Sequence, residues 1–291
     1  MNASPIIVLD SGLGGLTVAR AIRTRLPAED ILYFGDTARL PYGSKSAGTV
    51  TLFVKQIISY LQSYHPKHVV IACNTATALA LPAIRAEFPG MSISGVIEPG
   101  AKAAVLAAGS KHHPVIGIMA TEATVRSKAY DRAIHRRRNH AHLLLQAAPL
   151  LVPIIEDGRK ADDPLVKLAL KQYLLPMVAR ELDVLVLGCT HYPILRDAII
   201  KIVGPDVPVI DSAEQCAEDV AKRLGDKGLL KHRPDESVDS QGYLKCFATD
   251  DSQRFAKLAS RFLGMRIDDP IWVSTDDLIL PASTLPLRVP A

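Results

Sequence analysis

Residues 69–85, VVIACNTATALALPAIR, place a cysteine where a strand is expected to pass into a helix. The run from Val69 to Ala72 is apolar and β-branched, as in a buried strand, and the Ala- and Leu-rich residues after Thr75 have helical spacing. Backbone N–H groups and the helix dipole favour an anion at a helix start. We therefore expect Cys73 to ionise more easily than a thiol with the ordinary pKa of about 8.5.

A second stretch of the same kind lies more than a hundred residues later. Val184–Gly188 is again an apolar strand, and Cys189-Thr190-His191 follows at its end. An earlier pair of similar strand-and-turn sequences occurs at residues 6–11 and 115–121. The pattern predicts a duplication with two similar lobes, each supplying one cysteine to a shared cleft. The alternative is a chance match of short hydrophobic strings.

The rest of the chain alternates strands and helices, which predicts parallel pairing with right-handed crossovers. The expected fold class is α/β, with two pseudo-symmetric doubly wound lobes, mainly parallel sheets and the active site in the cleft between the lobes. The predicted first lobe is discontinuous, and the expected division is residues 1–98 plus 211–264 for lobe 1, residues 99–210 for lobe 2 and an irregular C-terminal extension over 265–291.

Composition is that of an ordinary globular protein, with 48% hydrophobic and 22% charged residues in a chain of 291. No run reaches the roughly 18 uninterrupted apolar residues of a membrane span, and we expect no export signal before the first strand. The four cysteines, at positions 73, 189, 216 and 246, form no CxxC pair. This usage favours a reducing cytoplasm.

The net charge of +4 is weak evidence for a polyanionic partner. One basic cluster, His135-Arg136-Arg137-Arg138, follows a predicted helix. Basic residues near a helix C-terminus are favoured by the dipole, so a solvated helix end is the preferred interpretation over a nucleic-acid contact.

Two loops at the expected sheet edge are rich in polar groups. The first, DSGLGGL at residues 10–16, has glycines for a tight turn before a helix whose N–H groups can hold a carboxylate or phosphate. A dinucleotide loop would need a glycine or alanine at position 17, where this chain has Thr17, and the Lys-Ser/Thr pair of a Walker loop is also missing. The second loop, YFGDTARLPYGS at residues 33–44, is an ordinary connection or part of a ligand site.

The cysteine pair admits several interpretations. Cys216 and Cys246 are expected to be buried and inert. A zinc site with His191 as a ligand lacks close ligand spacing, and a Cys-His hydrolase would leave one mirrored thiol unexplained. Inverting a stereocentre needs a base on one face and an acid on the other, and two thiols with pKa values tuned towards neutral pH meet that need.

Six motifs together resemble the glutamate racemase family of cofactor-independent amino-acid racemases. They are DSGLGGLTV, YFGDTARLPYGSKS, ACNTATALALP, GVIEPG, ATEATVRS and VLGCTHYPIL, in order from residue 7 to about 212, and ATDDSQRFAKLASRFLG resembles the family's closing strand and helix. The CNT and CTH motifs alone would also admit aspartate racemases and related isomerases.

The resemblance implies racemisation of glutamate without a cofactor or metal, supplying D-glutamate for peptidoglycan. It assigns the proton transfers to Cys73 and Cys189, with Asp10 assisting the first thiol and His191 the second. Glu156 resembles the acid that orients the histidine. The implied substrate-binding residues are Asp10, Ser11, Tyr42, Gly43, Asn74, Thr75, Thr190 and His191.

Two segments depart from the family pattern, the basic stretch at residues 135–140 and the tail after Pro270. Because these leave contacts between subunits open, a homodimer is only an expectation. Two other functions remain as alternatives at this stage: an aspartate racemase or related isomerase, and a racemase-like scaffold that binds a partner through the basic cluster.

Overall fold

The computed structural model describes residues 4–231 and 241–279 and contains two parallel sheets. The strands are β1 (Ile6–Asp10), β2 (Ile31–Gly35), β3 (His68–Ile71), β4 (Ile93–Gly95), β5 (Val115–Ala120), β6 (His142–Ala147), β7 (Val184–Gly188), β8 (Val209–Asp211), β9 (Leu244–Ala248) and β10 (Ile271–Trp272). The α-helices are α1 (Leu16–Arg25), α2 (Ala47–Leu61), α3 (Asn74–Glu87), α4 (Ile97–Ala107), α5 (Glu122–Ser127), α6 (Ala129–His135), α7 (Leu151–Glu156), α8 (Pro164–Val178), α9 (Arg196–Val203), α10 (Ser212–Asp226) and α11 (Ser252–Leu263).

The two sheets repeat the same strand order, which confirms the predicted α/β class with two similar lobes. The first sheet runs β10-β9-β2-β1-β3-β4 and the second runs β6-β5-β7-β8. When β9 and β10 are set aside, each sheet has its first strand between its second and third, and every pairing is parallel. The cysteine motif follows the third strand in each sheet, so the two thiols occupy equivalent positions.

Burial on both faces explains the apolar strands. β1, β2, β3 and β7 are buried along their whole length, as expected when helices cover both sides of a parallel sheet. The first sheet takes strands from both parts of the chain, since β9 pairs with β2. One core cluster is continuous between the sheets and includes Val8, Leu16, Leu187 and Phe262. The lobes are therefore packed together over apolar side chains.

Most predicted elements are present, and the differences have local causes. The sequence predicts one helix over residues 122–135, but Lys128 adopts a left-handed backbone, with φ of 53°, and divides it into α5 and α6. Helix α7 was not predicted, because Pro153 interrupts its pattern; in a first turn proline costs little. The sequence also predicts a strand over residues 93–97, but β4 ends at Gly95 and α4 begins at Ile97.

The C-terminal extension was predicted to be irregular, but β10 within it adds a short strand to the edge of the first sheet. Two residues are too few to show a period in the sequence. Within the extension, residues 280–291 lie outside the described residues, and so do residues 232–240 of the polar stretch that the sequence predicts over residues 225–241. The lobe boundaries at residues 98 and 211 stay a prediction. Among the helices of the described chain, none combines the length and the apolar character that crossing a bilayer requires.

Candidate active site

Cys73 and Cys189 lie at the C-terminal ends of β3 and β7 and line the same cavity. The cavity has a volume of about 680 Å³, which includes the part that is open to solvent. Ligands bind at this edge of parallel sheets because loops and helix starts converge there. Seven other predicted residues also line the cavity: Ser11, Tyr42, Gly43, Asn74, Thr75, Thr190 and His191. Asp10 and Glu156 lie behind this lining and contact it.

The Cys73 thiol is surrounded by protein and faces a carboxylate. The residue caps α3, and the Ala76 N–H donates to its Sγ over 3.5 Å. Burial, with a further contribution from the charge of Asp10, raises the pKa of Cys73 to about 12. The sequence-based expectation of a lowered pKa is therefore wrong for this thiol, because loss of hydration outweighs the helix start. Burial also raises the pKa of Asp10, whose Oδ1 accepts from the Gly12 N–H at 2.9 Å.

The Cys189 thiol has a cationic partner instead. Its Sγ lies 3.8 Å from His191 Nδ1, and His191 Nε2 lies 2.9 Å from Glu156 Oε1. Burial by itself lowers the pKa of His191, but the hydrogen bonds with Cys189 and Glu156 outweigh it and raise the pKa to about 10. His191 is therefore protonated at neutral pH. The two thiols have environments of opposite charge.

The glycine-rich loop after β1 joins the two halves of the site. Thr190 Oγ1 donates to Asp10 Oδ2 over 3.4 Å, although Asp10 ends a strand of the first sheet and Thr190 follows a strand of the second. Gly14 lies directly against the second cysteine motif, since a Cβ built on it would be 2.5 Å from His191 Nδ1. The loop itself is held by the Tyr33 hydroxyl, which donates to the Gly12 carbonyl at 2.7 Å. Glycine is needed here for close approach.

Asp36 fixes the loop that carries Tyr42 and Gly43. This carboxylate is fully buried and accepts hydrogen bonds from the Tyr42 hydroxyl, from Arg39 Nε at 2.8 and 2.9 Å, and from Thr249 Oγ1 at 3.1 Å. Thr249 follows β9, so the C-terminal part of the chain supports the cavity wall. The loop at residues 33–44 is thus part of the site rather than an ordinary connection.

Asn74 and Thr75 begin α3 and contact side chains of the second lobe. The Thr75 hydroxyl lies 2.9 Å from that of Thr121, and the Tyr130 hydroxyl donates to Asn74 Oδ1 at 2.8 Å. Neither Thr121 nor Tyr130 was singled out from the sequence. Thr121 had a detectable signal, because it follows β5 as Ser11 follows β1. Other lining residues not predicted are Leu40, Pro41, Ser44, Glu122, Ala148, Pro149, Val152 and Pro153.

Other candidate residues lie apart from the cavity. Cys216 and Cys246 are buried, and burial raises the pKa of each to about 12. Arg136 and Arg137 both pair with Glu98, while Arg138 donates to backbone carbonyls. Within residues 4–231 and 241–279, no group of three or more His, Cys, Asp or Glu side chains is placed to hold a metal ion.

Comparisons with known proteins agree on one kind of molecule. The Asp/Glu/hydantoin racemase family model matches residues 15–220. A glutamate racemase of Chlorobaculum tepidum is 40% identical and covers 91% of this chain and 94% of its own length. One from Neisseria gonorrhoeae is 43% identical, covering 93% of this chain and 96% of its own.

Solved structures give the same result for the fold. Glutamate racemase isoform RacE1 from Bacillus anthracis has a TM-score of 0.86 and 37% identity, and the match covers 94% of this chain and 99% of that one. Glutamate racemase from Francisella tularensis, solved with D-glutamate, has a TM-score of 0.84 and 32% identity over 95% of this chain and 99% of its own.

Proposed function

The chain belongs to the Asp/Glu/hydantoin racemase family, and from this premise we propose a two-cysteine, two-base proton transfer as its mechanism. The reaction is the racemisation of glutamate, since curated relatives at 40–43% identity along nearly the whole chain are glutamate racemases. The protein is thus an isomerase that acts on an amino acid. The observation that carries the mechanism is the presence of Cys73 and Cys189 on one cavity.

Each thiol has a role that follows from its surroundings. Cys73, buried beside Asp10, is held as the neutral thiol and can donate a proton. Cys189 lies beside cationic His191, with 3.8 Å between its Sγ and the imidazole Nδ1, so a proton can pass between the two side chains. For L-glutamate, Cys189 is the base and Cys73 the acid. Cys189 takes the α-proton, Cys73 delivers its own proton to the opposite face, and the reverse reaction begins from the exchanged protonation states.

Asp10, His191 and Glu156 serve these proton transfers. His191 exchanges a proton with Cys189, and Glu156 holds the imidazole through Nε2. Asp10 stands beside Cys73, and its charge helps to keep the proton on the Cys73 thiol. A carboxylate on a buried imidazole fixes the ring and stabilises its cationic form, as in other acid–base sites.

The substrate is held by short polar groups rather than by arginines. Hydroxyl, amide and loop N–H groups around the cavity can bind two carboxylates and an ammonium. We assign this role to Asp10, Ser11, Tyr42, Gly43, Asn74, Thr75, Thr190 and His191. Val152 and Pro153 add apolar walls to the cavity. A site that excludes water strengthens the electrostatic stabilisation of the carbanion, which forms when the α-proton is removed. No cofactor is part of the proposal.

The biological setting is also proposed. D-Glutamate from this reaction would supply peptidoglycan synthesis. Four free cysteines fit the reducing cytoplasm. We further propose a homodimer, supported by Leu165, Leu168 and Leu175, which are exposed on α8. Light scattering at micromolar protein would give twice the chain mass, and a monomer mass would overturn the dimer.

The test uses L-glutamate and protein without added cofactor in D2O. Loss of circular dichroism together with deuterium at Cα establishes both the reaction and its proton-transfer nature. Cys73→Ser and Cys189→Ser are each expected to lower the rate by at least about 100-fold, because a serine hydroxyl is a much weaker acid and base. Full activity in either variant overturns the two-base mechanism.

Two alternatives are separated by the same preparation. Comparing turnover of aspartate with turnover of glutamate distinguishes an aspartate racemase, which would prefer the shorter substrate. A partner-binding scaffold using the basic cluster would shift DNA in a gel at low salt and lose the shift on Arg136→Ala/Arg137→Ala/Arg138→Ala. The contacts of Arg136 and Arg137 with Glu98 argue against that role.

A further inference from the structure

The side-chain amide of Asn74 has one satisfied end and one unsatisfied end. Its Oδ1 accepts a hydrogen bond from the Tyr130 hydroxyl at 2.8 Å. Its Nδ2 is buried and has no hydrogen-bond partner among the described residues. A buried donor without a partner is costly. Since Asn74 lines the cavity, a bound substrate is the group available to satisfy this donor.

The polarity of the Tyr130 hydroxyl decides which end of the amide is free. Tyr130 lies in α6 and is buried, and its hydroxyl makes a hydrogen bond with the side chain of Ser212 at the start of α10. The phenol gives its own proton to Asn74 Oδ1. Burial raises the pKa of Tyr130, so this proton is retained throughout the working pH range. The amide oxygen is thereby held at Tyr130, and the nitrogen is left for the cavity.

The space for the phenol ring is provided by two glycines. A Cβ on Gly100 would lie 3.2 Å from the Tyr130 hydroxyl, and a Cβ on Gly188 would lie 3.3 Å from its Cε2. Gly188 directly precedes Cys189. The ring is therefore closely confined between α4 and the end of β7, which limits its hydroxyl to the position from which it reaches Asn74.

We propose that Tyr130 is a positioning residue that aims the Asn74 amide nitrogen at a carboxylate of the bound amino acid. The inference rests on the proposed function and adds to it a residue that does not itself touch the substrate. Asn74 follows a strand of the first sheet, whereas Tyr130 lies in a helix over the second. Their hydrogen bond spans the two lobes. The amide of one lobe is therefore oriented by a side chain of the other.

The test is Tyr130→Phe, assayed for glutamate racemisation in both directions. Loss of the phenol hydrogen bond leaves the amide free to reverse, so KM is expected to rise about three- to tenfold while kcat stays within about twofold. Thr77→Val is the matched control, because Thr77 lies on the same helix and its buried hydroxyl donates to the Ile71 carbonyl at 2.8 Å. It removes a buried hydrogen bond without touching the amide, and its KM should equal that of the parent protein.

A double-variant cycle separates positioning from general loosening of the fold. In an Asn74→Ala background, Tyr130→Phe should raise KM no further, because there is no amide left to orient. An unchanged KM in Tyr130→Phe, an equal rise in the Asn74→Ala background, or an equal rise in Thr77→Val overturns the proposal. If Tyr130→Phe does not fold, Ser212→Ala tests the same chain of hydroxyls, and an unchanged KM there is equally negative.

Failure of this inference is distinguishable from failure of the function. If the parent protein racemises glutamate and the Tyr130→Phe enzyme has the parent KM, only the positioning role is lost. If the parent protein neither racemises nor binds glutamate, the proposed function fails and the positioning role falls with it.

Discussion

Gly14 is the residue at which the first lobe touches the second cysteine motif. A Cβ there would come within 2.5 to 2.7 Å of ring atoms of His191 and closer still to Thr190 Oγ1. Contacts this short do not occur, so a side chain at this position must displace the histidine or separate the lobes. The requirement comes from close approach of two loops, and nothing in the local spacing of the glycines reveals it.

Gly14→Ala is therefore expected to lower kcat/KM by at least about tenfold, since even small displacements of a catalytic group are costly. The measurement is racemisation by circular dichroism, with unfolding in urea to show that the protein is folded. Gly48→Ala is the matched control, because no atom lies within 4 Å of its added Cβ. It lies in α2, where alanine is preferred to glycine, and should retain activity. Parent-like activity in Gly14→Ala would contradict the proposed contact.

His191 makes stability depend on pH through its hydrogen bonds with Cys189 and Glu156. Its pKa is about 10 in the folded protein, against an ordinary value of 6.5. Because the folded state binds the extra proton, this contribution to the free energy of unfolding is complete below about pH 6.5 and declines as the pH rises towards 10, by at most about 1.4 kcal/mol per pH unit.

Glu156→Gln should reduce that decline, since the neutral amide no longer stabilises the imidazolium. Urea unfolding at several pH values between about 6.5 and 10 measures, for each protein, the slope of the free energy of unfolding against pH. Asp157→Asn, which changes the neighbouring exposed acid that pairs with Arg159, should keep the parent slope. Identical slopes for the parent and Glu156→Gln would show that Glu156 does not set the charge of His191.

The packing of helix α7 determines where the Glu156 carboxylate lies. Glu156 is the last residue of α7, and Leu151, Val152, Ile154 and Ile155 of the same short helix are buried. That packing carries the carboxylate to His191. The sequence-based assignment of Glu156 came from family resemblance alone, and the helix that places it was not predicted.

A buried ion pair anchors residues 229–231, which follow α10, at the base of the first sheet. Lys67 and Glu29 pair with side chains only 1% and 2% exposed. Lys67 Nζ also donates to the Leu229 carbonyl at 3.0 Å, and the Lys231 N–H donates to Glu29 Oε1 at 2.8 Å. These contacts join the start of β3 to the chain beyond α10.

Lys67→Met should lower the free energy of unfolding by about 3–5 kcal/mol, because it leaves the Glu29 carboxylate buried without its partner. Lys222→Met is the control, since its pair with Asp226 is largely exposed, and its effect should stay within about 1 kcal/mol. Equal effects of the two changes in urea unfolding would contradict the anchoring role of Lys67.

We expect the whole molecule to unfold as one cooperative unit, because the apolar core that joins the two sheets is continuous. A ligand bound between the lobes stabilises the entire chain by mass action, by about 2.7 kcal/mol at a free concentration 100 times its dissociation constant. D-Glutamate should therefore shift a single cooperative unfolding transition.

Thermal and urea unfolding with and without D-glutamate measure this shift, and glycine, which lacks the side-chain carboxylate, serves as the control ligand. Two separate transitions, with only one of them responding to D-glutamate, would show that the lobes unfold independently.

The sequence by itself determined the elements and the class of chemistry. Strand and helix periodicity is local, so nearly every element was predicted, and so was the repeated placement of Cys73 and Cys189 after equivalent strands. The exceptions were short or broken: β10 has two residues, α7 contains Pro153, and Lys128 interrupts a helix. Such features depend on packing partners or on a single backbone angle.

Only the tertiary structure decided the charge states and the cross-lobe contacts. The sequence predicted easily ionised thiols, yet burial beside Asp10 raises the pKa of Cys73 while Glu156 and Cys189 raise that of His191. Tyr130 reaches Asn74 across 56 positions of the chain. Hydration and distance through space control these properties, and neither can be obtained from the order of residues along the chain.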